Sequence, residues 1–248
     1  MKKLSQFFFV MLLLASSTTF AQTADEVIEK YFTAIGGKEK LSALKSAKMT
    51  AKIKAQGQEF PVVMLQKAPN LQKMVLVFQG KEITQMAFDG NEGWSTNFMT
   101  MKPEKIEAEE SENMKLEMDF PDAFLDYKSK GYSILLEGSE NIEGTDCHKI
   151  KLTKKPVKVD GKEEENFSYY YFDKENNVPI MQKTISKKGQ MKGVAIDTFL
   201  SDYQEVNGLF FAFTITQKVN GQAMANIAVD KMEINTEIPT SEFSFPQN

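Results

Sequence analysis

Apolar positions along this 248-residue chain follow three patterns, and each predicts a different element. The first has no period. Lys2 and Lys3 lead into an apolar run from Phe7 to Ala15, followed by small and polar residues up to Ala21. This is the plan of a secretory signal peptide over residues 1–21, with Gln22 as the first mature residue. The run is too short to cross ~30 Å of hydrocarbon as an anchor. The second pattern is helical. Val27, Ile28, Tyr31, Phe32 and Ile35 fall on one helix face. Thr23 and Glu26 have the spacing of a capping box at its start. Gly36-Gly37 stops this helix, and Lys38 to Leu44 reads as a second, short one.

From Ala47 the period changes to two. Short strands are predicted over residues 48–57, 58–70, 71–80, 81–90 and 91–99, punctuated by Gly, Asn and Pro. Val62 to Leu65 and Met74 to Phe78 are apolar at successive positions, as in strands covered on both faces. The stretch from Pro103 to about Tyr127 breaks the series. "PEKIEAEESENMKLEM" suits an acidic helix, and Pro121 can open another around Phe124 and Leu125. Strand patterns resume at Tyr132 and run to Asn235, with residues 132–138 and 139–144 read as two separate strands. They are joined by Asp160-Gly161, Glu175-Asn176-Asn177, Lys188-Gly189, Asn207-Gly208 and Asn220-Gly221. Asn-Gly and Asp-Gly are the favoured hairpin dipeptides. The expectation is about a dozen antiparallel strands, a helix pair in front and one helical insertion, forming one domain over residues 22–248.

Charge and composition narrow the function. The formal net charge is −4, and all 30 basic residues are lysine. Arginine is the usual residue for bidentate recognition of phosphate and base edges. An acidic chain without it predicts no nucleic-acid partner. A single cysteine, Cys147, allows no internal disulfide.

Cys147 adjoins the only histidine, His148. In a strand their side chains point to opposite faces. His148 goes with Ile150 and Leu152, and Cys147 goes with Lys149 and Lys151. A thiol nucleophile needs a base within reach, and a zinc site needs about four ligands. Both positions therefore read as structural. Glu107, Glu109, Glu110 and Glu112 read as a solvated helix face. Asp173 to Asn177 lacks the mid-loop Gly and terminal Glu of a calcium loop and reads as a turn. There is no phosphate-binding Gly-rich loop and no G-x-S-x-G elbow. No carboxylate pair is marked out for glycoside cleavage. These observations predict no catalytic residue, metal or cofactor. The chain is instead rich in soft apolar material. All but Met1 and Met11 of its fourteen methionines follow Gln22, and methionine adapts to irregular or variable partners.

Five stretches in order carry a resemblance: "YFTAIGGKEKLSALKSAKM", "MAFDGNEGW", "FLDYKSKGYSILLEGSENIEGTDCHKIKLT", "YYFDKENNVPIMQK" and "EINTEIPTSEFSFP". With them the mature chain resembles the outer-membrane lipoprotein-sorting family, the LolA/LolB-like periplasmic carriers and their Bacteroidetes-type relatives. The resemblance implies a mainly β (α+β) fold: an incomplete, strongly curved antiparallel β-barrel with helices covering the concave face. It implies a non-enzymatic, monomeric carrier in a Gram-negative periplasm that holds acyl chains of lipoproteins or lipids in an apolar cavity. Inner- and outer-membrane sorting proteins would be its partners in outer-membrane lipoprotein sorting. The candidate lining is Phe60, Val62, Met64, Met74, Leu76, Phe78, Met86, Phe88 and Trp94, with the inward-facing alternate set left open. The founding carriers latch a helical lid with an arginine, which this chain lacks. The alternatives are an envelope protein-binding or sensing module without lipid cargo and an envelope hydrolase.

Overall fold

The computed structural model describes residues 22–55 and 57–247; the signal peptide read over residues 1–21 lies outside them. Helix α1 spans Ala24–Ala34. Its start is set locally. Thr23 Oγ1 accepts from the Glu26 amide at 3.2 Å, and Glu26 Oε2 accepts from the Thr23 amide at 2.8 Å. Two of the amides a helix start leaves unpaired are thereby satisfied. The short α2, Lys38–Ser42, follows the Gly36-Gly37 corner.

Fifteen strands follow. The first six are β1 Ser46–Ala55, β2 Gln58–Lys67, β3 Leu71–Phe78, β4 Lys81–Phe88, β5 Gly93–Thr96 and β6 Pro103–Lys105. Helix α3, Ala108–Glu117, interrupts them. Then come β7 Ser133–Ile142, β8 Thr145–Thr153, β9 Val157–Val159, β10 Lys162–Glu164, β11 Phe167–Asp173 and β12 Pro179–Ile185. The last three are β13 Ala195–Val206, β14 Leu209–Val219 and β15 Gln222–Ile234. Thirteen strands form one open antiparallel sheet in the order β6-β5-β4-β3-β2-β1-β15-β14-β13-β12-β11-β8-β7. Strands β9 and β10 make a separate hairpin.

Three readings from the sequence need correction. Residues 103–105 are an edge strand rather than the start of a helix, because Pro103 to Lys105 pair with Thr96 to Trp94. No helix forms around Phe124 and Leu125, where the backbone runs through turns. Residues 133–142 are one strand rather than two, and the register with β8 shifts between Leu136 and Gly138. Gly138 takes a φ of +114° there, which only glycine adopts easily.

The core divides by sheet face. Val27, Ile28, Tyr31 and Phe32 of α1 pack with Ile150 and Leu152 of β8, Phe172 of β11 and Leu209 of β14. On the other face Cys147, Tyr171 and Met181 form a smaller cluster. The aromatic run of β11 thus feeds both faces in turn. Beyond β15 the chain crosses the far side of β2 to β5. Lys67 Nζ donates to the Ile238 carbonyl at 2.7 Å, Lys73 Nζ lies 3.2 Å from Glu242, and Phe243 is fully buried. This return segment explains why β2 and β3 read as apolar at successive positions.

Candidate functional site

A row of methionines crosses five neighbouring strands. Met232 of β15 pairs with Met49 of β1, Met49 with Met64 of β2, Met64 with Met74 of β3, and Met74 with Met86 of β4. Directly opposed residues share a face, with Cβ atoms about 4.5–5.5 Å apart. Strand alternation puts Phe60 and Val62, Leu76 and Phe78, and Phe88 on this same face. The Phe60 and Phe78 rings lie 5.9 Å apart, and Val62 and Phe88 are buried.

Part of this face borders an apolar cavity of about 330 Å³. The sheet contributes Met49, Met64, Met232, Leu200, Phe211 and Ile215. Tyr31 and Ile35 of α1, Leu41 of α2, and the segment Pro121 to Phe124 form the other wall. Of the residues singled out from the sequence, Met64 lines this cavity. Phe60, Val62, Met74, Leu76, Phe78, Met86 and Phe88 lie on the same sheet face beyond it. Trp94 does not join them. Gly93 pairs with Phe88, so Trp94, opposite Ala87, points the other way. Its Nε1 donates to the Phe243 carbonyl at 2.9 Å beneath the C-terminal segment.

Sequence reasoning missed Met49 and Met232, the tyrosines, and Asp122. The Tyr31 hydroxyl donates to Asp122 Oδ2 at 2.8 Å, and the Phe124 amide donates to Oδ1 at 2.7 Å. Burial raises the Asp122 pKa above the usual carboxylate range, against these bonds and the nearby Lys130 charge. Burial, reinforced by Asp122, also raises the pKa of the Tyr31, Tyr170 and Tyr203 phenols. The phenols stay neutral and bonded. Tyr203 donates to the Pro179 carbonyl at 2.6 Å, and Gln182 donates to the Tyr170 oxygen at 2.9 Å.

The segment that carries Asp122 is tied to the helices without arginine. Tyr127 donates to Asp25 at 2.6 Å, Lys128 lies 3.0 Å from Asp25, and Lys38 lies 3.1 Å from Asp126. Exposed ion pairs of this kind contribute little singly. The part-buried Tyr31–Asp122 bond is the stronger tie.

A second, polar space of about 440 Å³ lies between α3, the β9–β10 hairpin and strands β11 and β12, and Tyr170 borders both spaces. Glu109 and Glu110, read as a solvated face, hold Lys188 at 3.2 and 2.8 Å. Glu109 also accepts from the Gly161 amide, which lowers its pKa, with Lys188 adding to the effect. Glu109 thus tethers α3 to the hairpin, and both carboxylates tether it to the β12–β13 connection.

His148 pairs with Phe172 on the α1 side of the sheet, and Cys147 pairs with Asp173 on the other side. Burial, then Asp173, pushes the Cys147 thiol up to about 11. Asp173 Oδ1 accepts from the Glu175 amide at 2.8 Å, as a turn requires. Among the described residues no group of three or more His, Cys, Asp or Glu is placed to hold a metal.

An open antiparallel sheet with helices packed on one face defines a class of fold, and solved structures share that fold. A DUF1329 family protein from Desulfovibrio piger aligns with a TM-score of 0.56 at 15% identity, covering 88% of this chain and 97% of that one. A LolA superfamily protein from Nitrosomonas europaea aligns with a TM-score of 0.56 at 12% identity over 90% and 98%. An outer membrane lipoprotein-sorting protein domain from Vibrio parahaemolyticus gives 0.54 at 10% identity over 88% and 94%. The fold is therefore LolA-like; at these identities the likeness concerns the fold alone. No protein-family model and no curated protein matches the chain. Among the described residues no helix is long and apolar enough to cross a membrane.

Proposed function

We propose that this protein is a periplasmic carrier that holds acyl chains of lipids or lipoproteins, without enzymatic activity. In this reading residues 1–21 direct export, and residues 22–248 fold as one half-barrel whose curved sheet wraps the cavity beneath the helices. The observation that carries it is the apolar cavity of about 330 Å³, walled by β1, β2 and β11 to β15 and by α1, α2 and the Asp122 segment. Small-molecule sites typically measure about 300–1,000 Å³ and are mostly apolar with a few placed polar groups. Each methylene buried contributes about 0.8 kcal/mol. Methionine lining suits a chain that bends differently from one cargo to the next. The similarly folded Vibrio parahaemolyticus outer membrane lipoprotein-sorting protein domain agrees with this reading. The seven further residues of the methionine face would extend the contact for a longer chain.

Isothermal calorimetry with a long-chain fatty acid tests the reading. Saturable binding is expected for the parent and for Met64→Leu. Met64→Asp, which sets a charge beside the chain, should lose it. Absence of binding to the folded parent, with no lipid carried through purification, would favour a module that binds envelope proteins instead.

A further inference from the structure

The apolar cavity and the polar space share a wall, and Tyr170 stands in it. Its ring meets Phe124 of the cavity edge-on at 4.8 Å, and its oxygen accepts from Gln182 of the polar space at 2.9 Å. A tyrosine so placed keeps its apolar body on one side and its polar tip on the other. Strand β12 makes the same passage. Pro179 borders the cavity, and Gln182 and Thr184 further along border the polar space. Pro179 and Gln182 stand about 10 Å apart at about 3.3 Å per strand residue. Ser168 shares the Tyr170 face of β11 and adds a hydroxyl to the polar wall.

Charges around the polar space balance. Glu110 holds Lys188 at 2.8 Å, and Lys154 pairs with Asp119 while donating to the Glu117 carbonyl at 2.6 Å. The Glu117 carboxylate and the Lys187 ammonium also border the space, and among the described residues neither joins an ion pair. Burial raises the Glu117 pKa and lowers that of Lys187, and each shift is opposed by the other's charge. An anion placed beside Lys187 would also meet Glu117, Glu164 and Glu165. A cation placed beside Glu117 would meet Lys154, Lys187 and Lys188. An uncharged group escapes both penalties. Hydroxyls both donate and accept, so they can bond to Glu117, to Lys187, and to the Ser168 and Thr184 hydroxyls alike. In the same wall Asn166 is 8% exposed, and its Nδ2 has no partner among the described residues. A buried donor of that kind is costly until an acceptor reaches it.

Given the acyl-chain reading of the cavity, on which this inference rests, we propose that the polar space holds an uncharged, sugar-like headgroup whose acyl chain lies in the apolar cavity, with Tyr170 at the junction. The cargo is then a glycolipid rather than a phospholipid or a free fatty acid. At about 440 Å³ the polar space falls within the about 300–1,000 Å³ usual for small-molecule sites. The tail supplies the affinity through apolar burial, and the head supplies the choice among amphiphiles through hydrogen bonds that an ionic head cannot make without meeting a like charge.

Calorimetry of the exported form with three amphiphiles of similar tail, each below its micelle concentration, tests the proposal. They are dodecyl maltoside, laurate and dodecylphosphocholine. Dodecyl maltoside is expected to bind about tenfold more tightly than either of the others. Ser168→Ala with Thr184→Val removes two hydroxyls at little change of shape and should erase that advantage. Glu117→Ala, on α3 and outside the sheet, should erase it as well. Met64→Asp should abolish binding of all three. Laurate binding as tightly as the maltoside overturns the headgroup assignment and leaves the cavity reading intact. Tighter binding of dodecylphosphocholine overturns it in favour of a zwitterionic head. An advantage that survives both polar-space variants overturns it, and so does maltoside binding that survives Met64→Asp. If the folded parent binds none of the three, the cavity reading falls and the headgroup site falls with it.

Discussion

The Tyr31 hydroxyl donates a 2.8 Å hydrogen bond to Asp122 and so joins α1 to the segment that walls the cavity beside it. The bond is part-buried, and it gives the Tyr31 hydroxyl its partner while Asp122 also accepts from the Phe124 amide. Tyr31→Phe keeps the ring, which meets Phe124 and Phe172 edge-on at 6.2 and 5.4 Å. It removes the donor and leaves Asp122 Oδ2 short of a bond. The expected loss is about 1–3 kcal/mol, read as a lower urea midpoint with an unchanged slope. An unchanged midpoint would mean that this bond does not hold the two elements together.

Asp122 also makes stability depend on pH. Its folded pKa is raised, chiefly by burial, above the ordinary 3.8. The folded chain therefore holds this proton more tightly than the unfolded chain does. The contribution is full below the unfolded pKa and is lost as pH rises through the folded one. Asp122→Asn keeps the volume and an acceptor but cannot ionise. Its melting temperature should fall less than the parent's as pH rises from the unfolded carboxylate pKa toward neutrality. Parallel curves for the two proteins would refute the assignment.

What the sequence disclosed was local. Thr23 and Glu26 are three residues apart, and their reciprocal caps depend on nothing distant, so α1 was legible to its first turn. The Asn207-Gly208 and Asn220-Gly221 hairpins were legible for the same reason. The cavity was not, because it depends on register between distant strands. Met49 meets Met64 and Met232 only once β1 has been placed between β2 and β15. Alternation within β2 shows that Phe60, Val62 and Met64 share a face, but not what stands over it. Trp94 follows close behind Phe88 in sequence, and the turn between them hides which face it takes. The pairing of Phe88 with Gly93 reverses the phase. Asp122 was hidden in a segment read as helix, where a lone carboxylate gives no signal until Tyr31 is brought to it.

The corner between α1 and α2 should tolerate no side chain at Gly36. Its φ is +108°, and a Cβ there would overlap the Gly208 carbonyl oxygen of the β13–β14 turn. Next to it the Phe210 amide donates to the Ile35 carbonyl at 3.0 Å. Gly36→Ala is expected to cost more than about 2 kcal/mol, from backbone strain plus the overlap. Gly37 has a similar φ of +103° but open space around its Cβ. Gly37→Ala should cost the strain alone, about 1–3 kcal/mol for an extended backbone with positive φ, and less than Gly36→Ala. Denaturant midpoints of the two variants separate the terms, and equal losses would show that the close approach is not felt.

Trp94 provides the sharpest check on which sheet face holds the ligand. The indole is nearly buried, with Lys73 Nζ 6.0 Å from its ring, Phe245 at 6.1 Å edge-on, and Nε1 bonded to the Phe243 carbonyl. All three partners belong to the face opposite the methionine row. A fatty acid entering the cavity beside Met49, Met64 and Met232 does not approach the ring. Trp94 emission should therefore stay constant through a titration that calorimetry shows to be saturable. Phe243→Ala, which loosens the C-terminal segment above the indole, should instead shift the emission to the red without a ligand. A clear ligand-induced shift in the parent would place the acyl chain on the other face of the sheet and overturn the assignment of the cavity.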